Sequence, residues 1–309
     1  MSARFQTPVV LIVFRRPEAT ARVFEAIRQA RPAALLVVAD GPRRNRPGEA
    51  ELCSATRAIF NRVDWNCSVL TNYANQNLGL KQRVESGLDW AFSQIEEAII
   101  LEDDTLPHPT FFPFCAALLE RYRRDERIMA VAGSSFLFGR HRTPFSYHFS
   151  RYPLIWGWAT WRRAWRHHDP TMREWPALRG TGSLGDVLET PAAVRYWSYC
   201  FQRNFETMGS WDYAWTLSCW RRGALSVTPN VNMVTNIGFG ADGSHTMDAA
   251  SKFAGMEALP VEFPLRHPER VERDKRADAL TEETAFSGEH FLRPMFRAAR
   301  AFLRSRHGA

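Results

Sequence analysis

Six apolar residues, Val9-Val10-Leu11-Ile12-Val13-Phe14, run without a polar break between Pro8 and the Arg15-Arg16-Pro17 turn. A segment apolar at every position buries both of its faces, as strands inside parallel sheets do. Pro17-Glu18-Ala19 then opens a helix, with proline tolerated in its first turn and Ala21, Val23, Phe24 and Ile27 forming the apolar side. Leu35 to Ala39 repeats the buried-strand pattern and stops at Asp40-Gly41-Pro42. A helix near Glu49 to Asn61, a strand near Ser68 to Leu70 and a helix over Gly79 to Ile95 follow. Ala98 to Leu101 is a third apolar run, stopped by Glu102-Asp103-Asp104. Phe111 to Tyr122 reads as a helix and Ile128 to Ala132 as a strand. The alternation predicts an α/β fold in which a mostly parallel central sheet is flanked by helices over residues 1–135. Ligands of such sheets bind beyond the carboxyl ends of the strands, where Asp40 and Glu102-Asp103-Asp104 both fall.

The second half carries a different pattern. Residues 140–180 read as loops, with Trp156, Trp158, Trp161 and Trp165 close together. Residues 184–222 read as mostly helical, and Ser226 to Val234 has strand character. Asn236 to Asp248, with Gly238, Gly240 and Gly243, reads as a mobile stretch. With no Pro/Ser-rich linker, residues 1–285 are expected to form one unit with halves at 1–135 and 136–285, followed by a terminal segment at 286–309.

Composition narrows the function classes. The chain has 309 residues, 45% of them hydrophobic and 24% charged, which excludes a disordered or collagen-like protein. No apolar run approaches the length needed to cross a bilayer. The N-terminus lacks the pattern of a signal peptide, so a cytoplasmic protein is expected. The five cysteines are odd in number and contain no C-x-x-C pair, which points to reduced thiols rather than a disulfide framework or zinc knuckle. The net charge of +7 is concentrated at one end, since Arg293, Arg297, Arg300, Arg304 and Arg306 fall in the last 19 residues, which hold no acid. The body is near neutral, so no nucleic-acid partner is expected. Phe291, Leu292, Met295, Phe296, Phe302 and Leu303 alternate with those arginines, the composition of an interfacial helix on an anionic membrane. That would make the protein peripheral on the inner membrane; a terminal helix docked on the body by its phenylalanines fits the same pattern.

The acidic turn is the sharpest chemical signal. Three adjacent carboxylates repel one another, and a positive charge on them relieves the repulsion. Mg²⁺ and Mn²⁺ bind one or two carboxylates together with substrate phosphate oxygens. A metal there would neutralise charge on a departing nucleoside diphosphate, and an Asp would accept the proton of the attacking hydroxyl. Arg15-Arg16 lies where phosphate donors would be needed, and Asp40 where a nucleobase would need an acceptor. Asn77-Leu78-Gly79-Leu80-Lys81 opens the helix before the acidic strand, where backbone N–H groups and Lys81 favour an anion. Each of these also has a bland reading, as a solvated turn, a solvated pair or a helix cap. Trp158, Trp161 and Trp165 have helical spacing and suit a core, while Trp156 or Trp158 suits a wall against an acceptor sugar.

An ordered set of segments carries a resemblance. Phe14-Arg15-Arg16-Pro17, Val38-Ala39-Asp40-Gly41, Trp90-Ala91-Phe92 and Ile100-Leu101-Glu102-Asp103-Asp104 are followed by Gly157-Trp158, Trp211-Asp212, Arg221-Arg222-Gly223 and the Gly238 to His245 stretch. In this order they resemble glycosyltransferases of the GT-A fold, a Rossmann-like nucleotide-diphospho-sugar transferase fold. More closely, they are similar to the N-acetylglucosaminyltransferase I type and related bacterial enzymes. The resemblance covers about Pro8 to Asp248 and makes residues 1–135 the nucleotide-sugar half and 136–285 the acceptor half.

The resemblance implies an inverting transferase, dependent on Mn²⁺ or Mg²⁺. It would use a nucleotide-sugar donor, with UDP-sugar favoured, and a glycan or lipid-linked acceptor in bacterial surface polysaccharide synthesis. Arg16 would match the arginine near the diphosphate and Asp40 the acid at the nucleobase. Asp104 would touch the metal, with Glu102 and Asp103 on ribose and donor sugar. Asp212 falls in the catalytic-base region, where the family tends to have two adjacent aspartates and this chain has Asp212-Tyr213; Asp242 and Asp248 are reserves. Gly238 to His245 would be a loop closing over the donor, with His245 near the diphosphate or metal. The chain lacks the Q-x-x-R-W motif of processive synthases, and Phe14-Arg15-Arg16-Pro17 lacks the glycines of a sugar nucleotidyltransferase loop. A single-strand nucleic-acid binder and a metal-dependent phosphohydrolase are the competing classes.

Overall fold

The apolar runs become neighbouring parallel strands. In the computed structural model, which describes residues 5–141, 143–239 and 251–286, the first half is β1 (Val9–Val13), α1 (Pro17–Ala30), β2 (Ala34–Ala39), α2 (Glu49–Ala58), β3 (Ser68–Tyr73), α3 (Leu80–Gln94) and β4 (Glu97–Glu102). All five residues of β1 are buried, because β2 and β4 pair with its two edges and side chains cover both faces. Pro17 sits in the first turn of α1, and Arg31 closes that helix in the left-handed conformation.

The chain continues through β5 (Thr105–Pro107), α4 (Phe111–Arg121), β6 (Ile128–Ala132), β7 (Tyr147–Ser150) and β8 (Trp158–Trp161). Then come three short helices, α5 (Arg162–Trp165), α6 (Trp175–Leu178) and α7 (Leu184–Val187), and two longer ones, α8 (Pro191–Thr207) and α9 (Trp211–Arg221). Strands β9 (Leu225–Pro229) and β10 (Val234–Asn236) and helix α10 (Lys275–Thr281) complete the described strands and α-helices. Thr190 caps α8 by accepting from Ala193 N–H, and Asp274 caps α10 by accepting from Ala277 N–H. Among the described residues, no helix is long and apolar enough to cross a membrane.

One eight-stranded sheet runs in the order β3-β2-β1-β4-β8-β6-β9-β7. It is mostly parallel, with β7 and β8 running against the others. The order grows outward from β1 to β3 on one side and restarts with β4 on the other. The carboxyl ends of β1 and β4 therefore diverge at a topological switch point, where such sheets leave a crevice. Phe14-Arg15-Arg16 leaves one side of that crevice, and Glu102-Asp103-Asp104 leaves the other.

The expected loop over residues 140–180 is corrected. Trp158–Trp161 is a strand at the centre of the sheet, antiparallel to both β4 and β6, with Ile100 opposite Trp158 and Val131 opposite Ala159. Tyr147–Ser150 forms the far edge against β9. The tryptophans are mainly core: Trp158 stacks on Trp211 at 5.7 Å and Trp165 meets Trp215 at 5.3 Å, closing the gap between sheet and α9. The helical spacing is a coincidence of a short strand followed by a short helix.

Candidate active site

β5 pairs with β10 in a separate two-stranded ribbon, with Thr105 opposite Asn236. The ribbon ties the acidic turn to the start of the glycine-rich stretch, and Ile237 N–H donates to the Asp104 carbonyl at 2.8 Å. Gly238 lies so close that a Cβ there would stand 2.1 Å from Asp104 Oδ2. Only glycine leaves that carboxylate its place. Within the turn, Glu102 N–H donates to the Thr105 hydroxyl at 2.8 Å, which in turn donates to the Glu102 carbonyl at 3.1 Å.

A cleft of about 370 Å³ opens over the switch point, lined by Phe14, Arg15, Arg16, Asp40, Arg43, Asn77, Arg83, Glu102, Asp103, Asp104, Trp156, Ser210, Trp211, Asp212 and Asn236, among others. Arg16 Nη1 bridges Asp103 Oδ1 at 3.1 Å and Asp104 Oδ2 at 2.7 Å. Phe14 N–H donates to the other Asp103 oxygen at 3.2 Å. From across the cleft, Asp212 projects from the first turn of α9, and the Ser210 hydroxyl donates to its Oδ1.

Five acids and four arginines line the cleft. Burial, and then the charges of Asp104, Asp103 and Asp212, push the Glu102 carboxyl up to about 8. Burial also raises Asp103, against the pull of Arg16. The native state thus holds a proton on Glu102 that the unfolded chain, with an ordinary carboxyl near pH 4.5, releases. Ligand-free stability should fall as pH rises from about 4.5 to about 8. Glu102→Gln should remove that loss, raising the melting temperature at pH 8 by about 2 °C or more while leaving it nearly unchanged at about pH 4, below the unfolded carboxyl's range. Thermal unfolding in EDTA at both pH values checks this; an equal shift at both would assign the effect to packing.

The acidic turn offers only oxygen donors, the chemistry that suits Mg²⁺ or Mn²⁺. Among the described residues, no three His, Cys, Asp or Glu side chains converge as a complete metal site. Ions of this kind take only one or two protein carboxylates and complete their shell from water and phosphate oxygens. Asp104 beside the bare backbone of Gly238 meets that lesser requirement.

The other expected site residues divide. Arg15 lines the cleft, with Nε 3.5 Å from Glu49. Asp40 lines it too, but its carboxylate is committed to the chain. Oδ1 accepts from Gly41 N–H and Leu78 N–H, and Oδ2 from Asn77 Nδ2 and Gly79 N–H. A carboxylate has about four acceptor positions, and these donors fill them. The structure therefore gives Asp40 the task of holding the Asn77–Gly79 turn rather than a free edge for a nucleobase. Lys81 is directed away: it pairs with Glu85 and donates to the Pro170 carbonyl at 2.9 Å, outside the cleft lining. Trp158 is only 1% exposed, so it belongs to the core and not to an acceptor wall. Trp156 reaches the cleft, separated from Trp158 by Gly157 in a positive-φ conformation (φ 61°) that turns the chain between them. His245, Asp242, Asp248 and the expected terminal helix from Phe291 to Arg306 lie outside the described residues.

Among the cleft residues not anticipated are Arg43, Arg83, Ser210 and Asn236. Arg43 is held by Glu49, which accepts from its backbone N–H at 2.8 Å and its Nε at 3.0 Å. Arg83 is one turn beyond Gly79 in α3, a spacing that could have flagged it. Ser210 precedes α9 at its N-cap position, two residues before Asp212, whereas Asn236 is brought in by its pairing with Thr105 across the fold.

No family model matches the chain, and no curated protein matches it. Among solved structures it is similar to a mannosyltransferase from Pyrobaculum calidifontis in complex with GDP-Man and Mn²⁺, at 16% identity over 51% of this chain and 45% of that one, with a TM-score of 0.34. It is similar to UDP-glucose pyrophosphorylase complexed with UDP-glucose, at 9% identity over 74% and 93% of the two chains, TM-score 0.37. It is also similar to mouse xyloside xylosyltransferase 1, apo form, at 12% identity over 69% and 81%, TM-score 0.31. The chain spans less than half the length of the mannosyltransferase. At such identities and scores these likenesses carry no argument about chemistry.

Proposed function

We propose that this chain is a GT-A-type glycosyltransferase that moves a sugar from a nucleotide-sugar donor to an acceptor hydroxyl. The observation that carries the reading is the opposition, across a cleft at the sheet's switch point, of the Glu102-Asp103-Asp104 turn and Asp212. Asp104 would hold Mn²⁺ or Mg²⁺, with Glu102 and Asp103 beside it. Once bound, the ion would neutralise charge on the nucleoside diphosphate as it leaves. Arg16 and Arg15 suit the diphosphate, since guanidinium forks match phosphate oxygens. Asp212, held by Ser210, would accept the acceptor's hydroxyl proton as that oxygen bonds to the anomeric carbon. A base facing the donor across the cleft is consistent with attack opposite the leaving group and inversion, in line with the N-acetylglucosaminyltransferase I resemblance. Trp156 offers an aromatic surface for an acceptor glycan or lipid-linked glycan, and the bacterial surface-polysaccharide role belongs to the same proposal.

The test is product analysis with a panel of nucleotide sugars and Mn²⁺. The transferase reading predicts release of nucleoside diphosphate that rises when a glycan acceptor is added. Release of inorganic phosphate instead would mark a phosphohydrolase and end the proposal.

A further inference from the structure

Helix α9 has two functional ends. Asp212 sits in its first turn at the cleft, while Arg221 closes its last turn at a second pocket. Nine residues at 1.5 Å each separate them by about 14 Å. The second pocket has a volume of about 250 Å³, with Met172, Ala214, Leu217 and Ser218 as its floor. Four arginines line it, Arg166, Arg173, Arg221 and Arg222, with His167 and His168.

We propose that this pocket is a binding site for a phosphoryl anion, separate from the acid-lined cleft and independent of the transferase reading. The charges lining the pocket do not balance. The pocket's two acids are already engaged. Asp169 accepts from Thr171 and from both the backbone and the Nε of Arg173, and Glu174 accepts from Arg221 Nε at 2.7 Å. Arg221 also offsets the negative end of α9. Two guanidinium groups then remain. Among the described residues Arg166 is held only loosely, by Glu126 at 3.9 Å between two exposed side chains and by the ring of His167. The Arg222 side chain makes no hydrogen bond or ion pair among the described residues. His167 lies between them, with Arg166 Nε 3.4 Å from its Nε2. Burial, Arg222 and Arg166 together hold its imidazole below the usual range, so the histidine does not relieve the positive surplus but yields to it.

A second observation concerns the same wall. The His168 side chain is 4% exposed, stacked on Trp165 at 4.4 Å, with Nε2 on Glu85 at 3.0 Å. Its Nδ1 is buried and has no hydrogen-bond partner among the described residues. A buried polar atom without a partner is costly unless something else satisfies it, and His168 forms part of the pocket wall. Two weakly engaged guanidinium forks match the oxygens of a phosphoryl group better than a single carboxylate. The shared chemistry is a phosphate or pyrophosphate group, whether free in solution or on a lipid headgroup.

The experiment is calorimetric titration of the full chain with sodium pyrophosphate in metal-free, low-salt buffer. The wild type is compared with an Arg166→Ala/Arg222→Ala variant and with Arg16→Ala, which alters only the cleft. Arg166 and Arg222 are exposed, so the fold should persist, and thermal unfolding checks that it does. Arg222→Gln alone serves if the double variant does not fold. The proposal predicts a binding component retained in Arg16→Ala and weakened in the double variant by more than about tenfold, the loss expected from even one of its two charge-assisted contacts. Wild-type affinity in the double variant, or loss of all binding in Arg16→Ala, would overturn it. Flotation with phosphatidylcholine vesicles containing phosphatidic acid identifies the source. Arg166- and Arg222-dependent flotation that pyrophosphate suppresses points to a headgroup; pyrophosphate binding without flotation points to a soluble phosphate.

Discussion

Asp212→Asn should keep nucleotide-sugar affinity while turnover falls by about 10²–10⁴-fold, the usual contribution of a general base. Asparagine has the same shape and retains an Oδ1 to accept from the Ser210 hydroxyl, so α9 should begin in the same place. What it cannot do is take the proton from an acceptor hydroxyl. The substitution also removes one of the charges that raise Glu102, so the Glu102 carboxyl should move down. Donor titration by calorimetry and single-turnover kinetics separate binding from chemistry. A loss below about tenfold would move the role to another acid, with Asp242 and Asp248 the next to test.

Asp104→Ala should abolish Mn²⁺-dependent donor binding while the protein remains folded. Asp104 faces the cleft, contacting Arg16 and the Gly238 backbone, and contributes little to the apolar core. Arg16 keeps Asp103 as a partner after the change. Losing an outer-shell group costs roughly 10–100-fold in metal affinity, so losing the ligand itself should cost more than about 100-fold. Calorimetry with and without Mn²⁺ reads the effect. Near wild-type donor affinity that still requires the ion would place the metal elsewhere.

These expectations rest on a site whose acidic side was legible in the sequence. The apolar runs of β1, β2 and β4 are buried on both faces, so each residue reports burial and the parallel sheet can be read directly. The polar residues that stop those runs fall at the switch point for the same reason. Strand β8 was not legible, because its four residues are Trp-Ala-Thr-Trp and the tryptophan spacing runs on into α5 as if helical. The Thr105–Pro107 ribbon strand was missed because it is three residues long and pairs with Val234–Asn236, far away in sequence. The role of Asp40 was legible only in part. Its position at the end of β2 is local, but the donors that fill its carboxylate come from Asn77, Leu78 and Gly79, which the sequence shows only as the start of a helix.

The nucleotide-sugar reading makes one demand that a single measurement can meet or refuse. Thermal unfolding of the wild-type chain with UDP-, GDP- and dTDP-sugars, each with and without Mn²⁺, asks whether the native state binds such a donor and whether the ion is required. A ligand at a hundred times its dissociation constant adds about 2.7 kcal/mol to apparent stability. The account predicts that at least one nucleotide sugar raises the melting temperature with Mn²⁺ and does not without it, and that Asp104→Ala loses the response. No shift from any donor with Mn²⁺ present, or the same shift in Asp104→Ala, would contradict it.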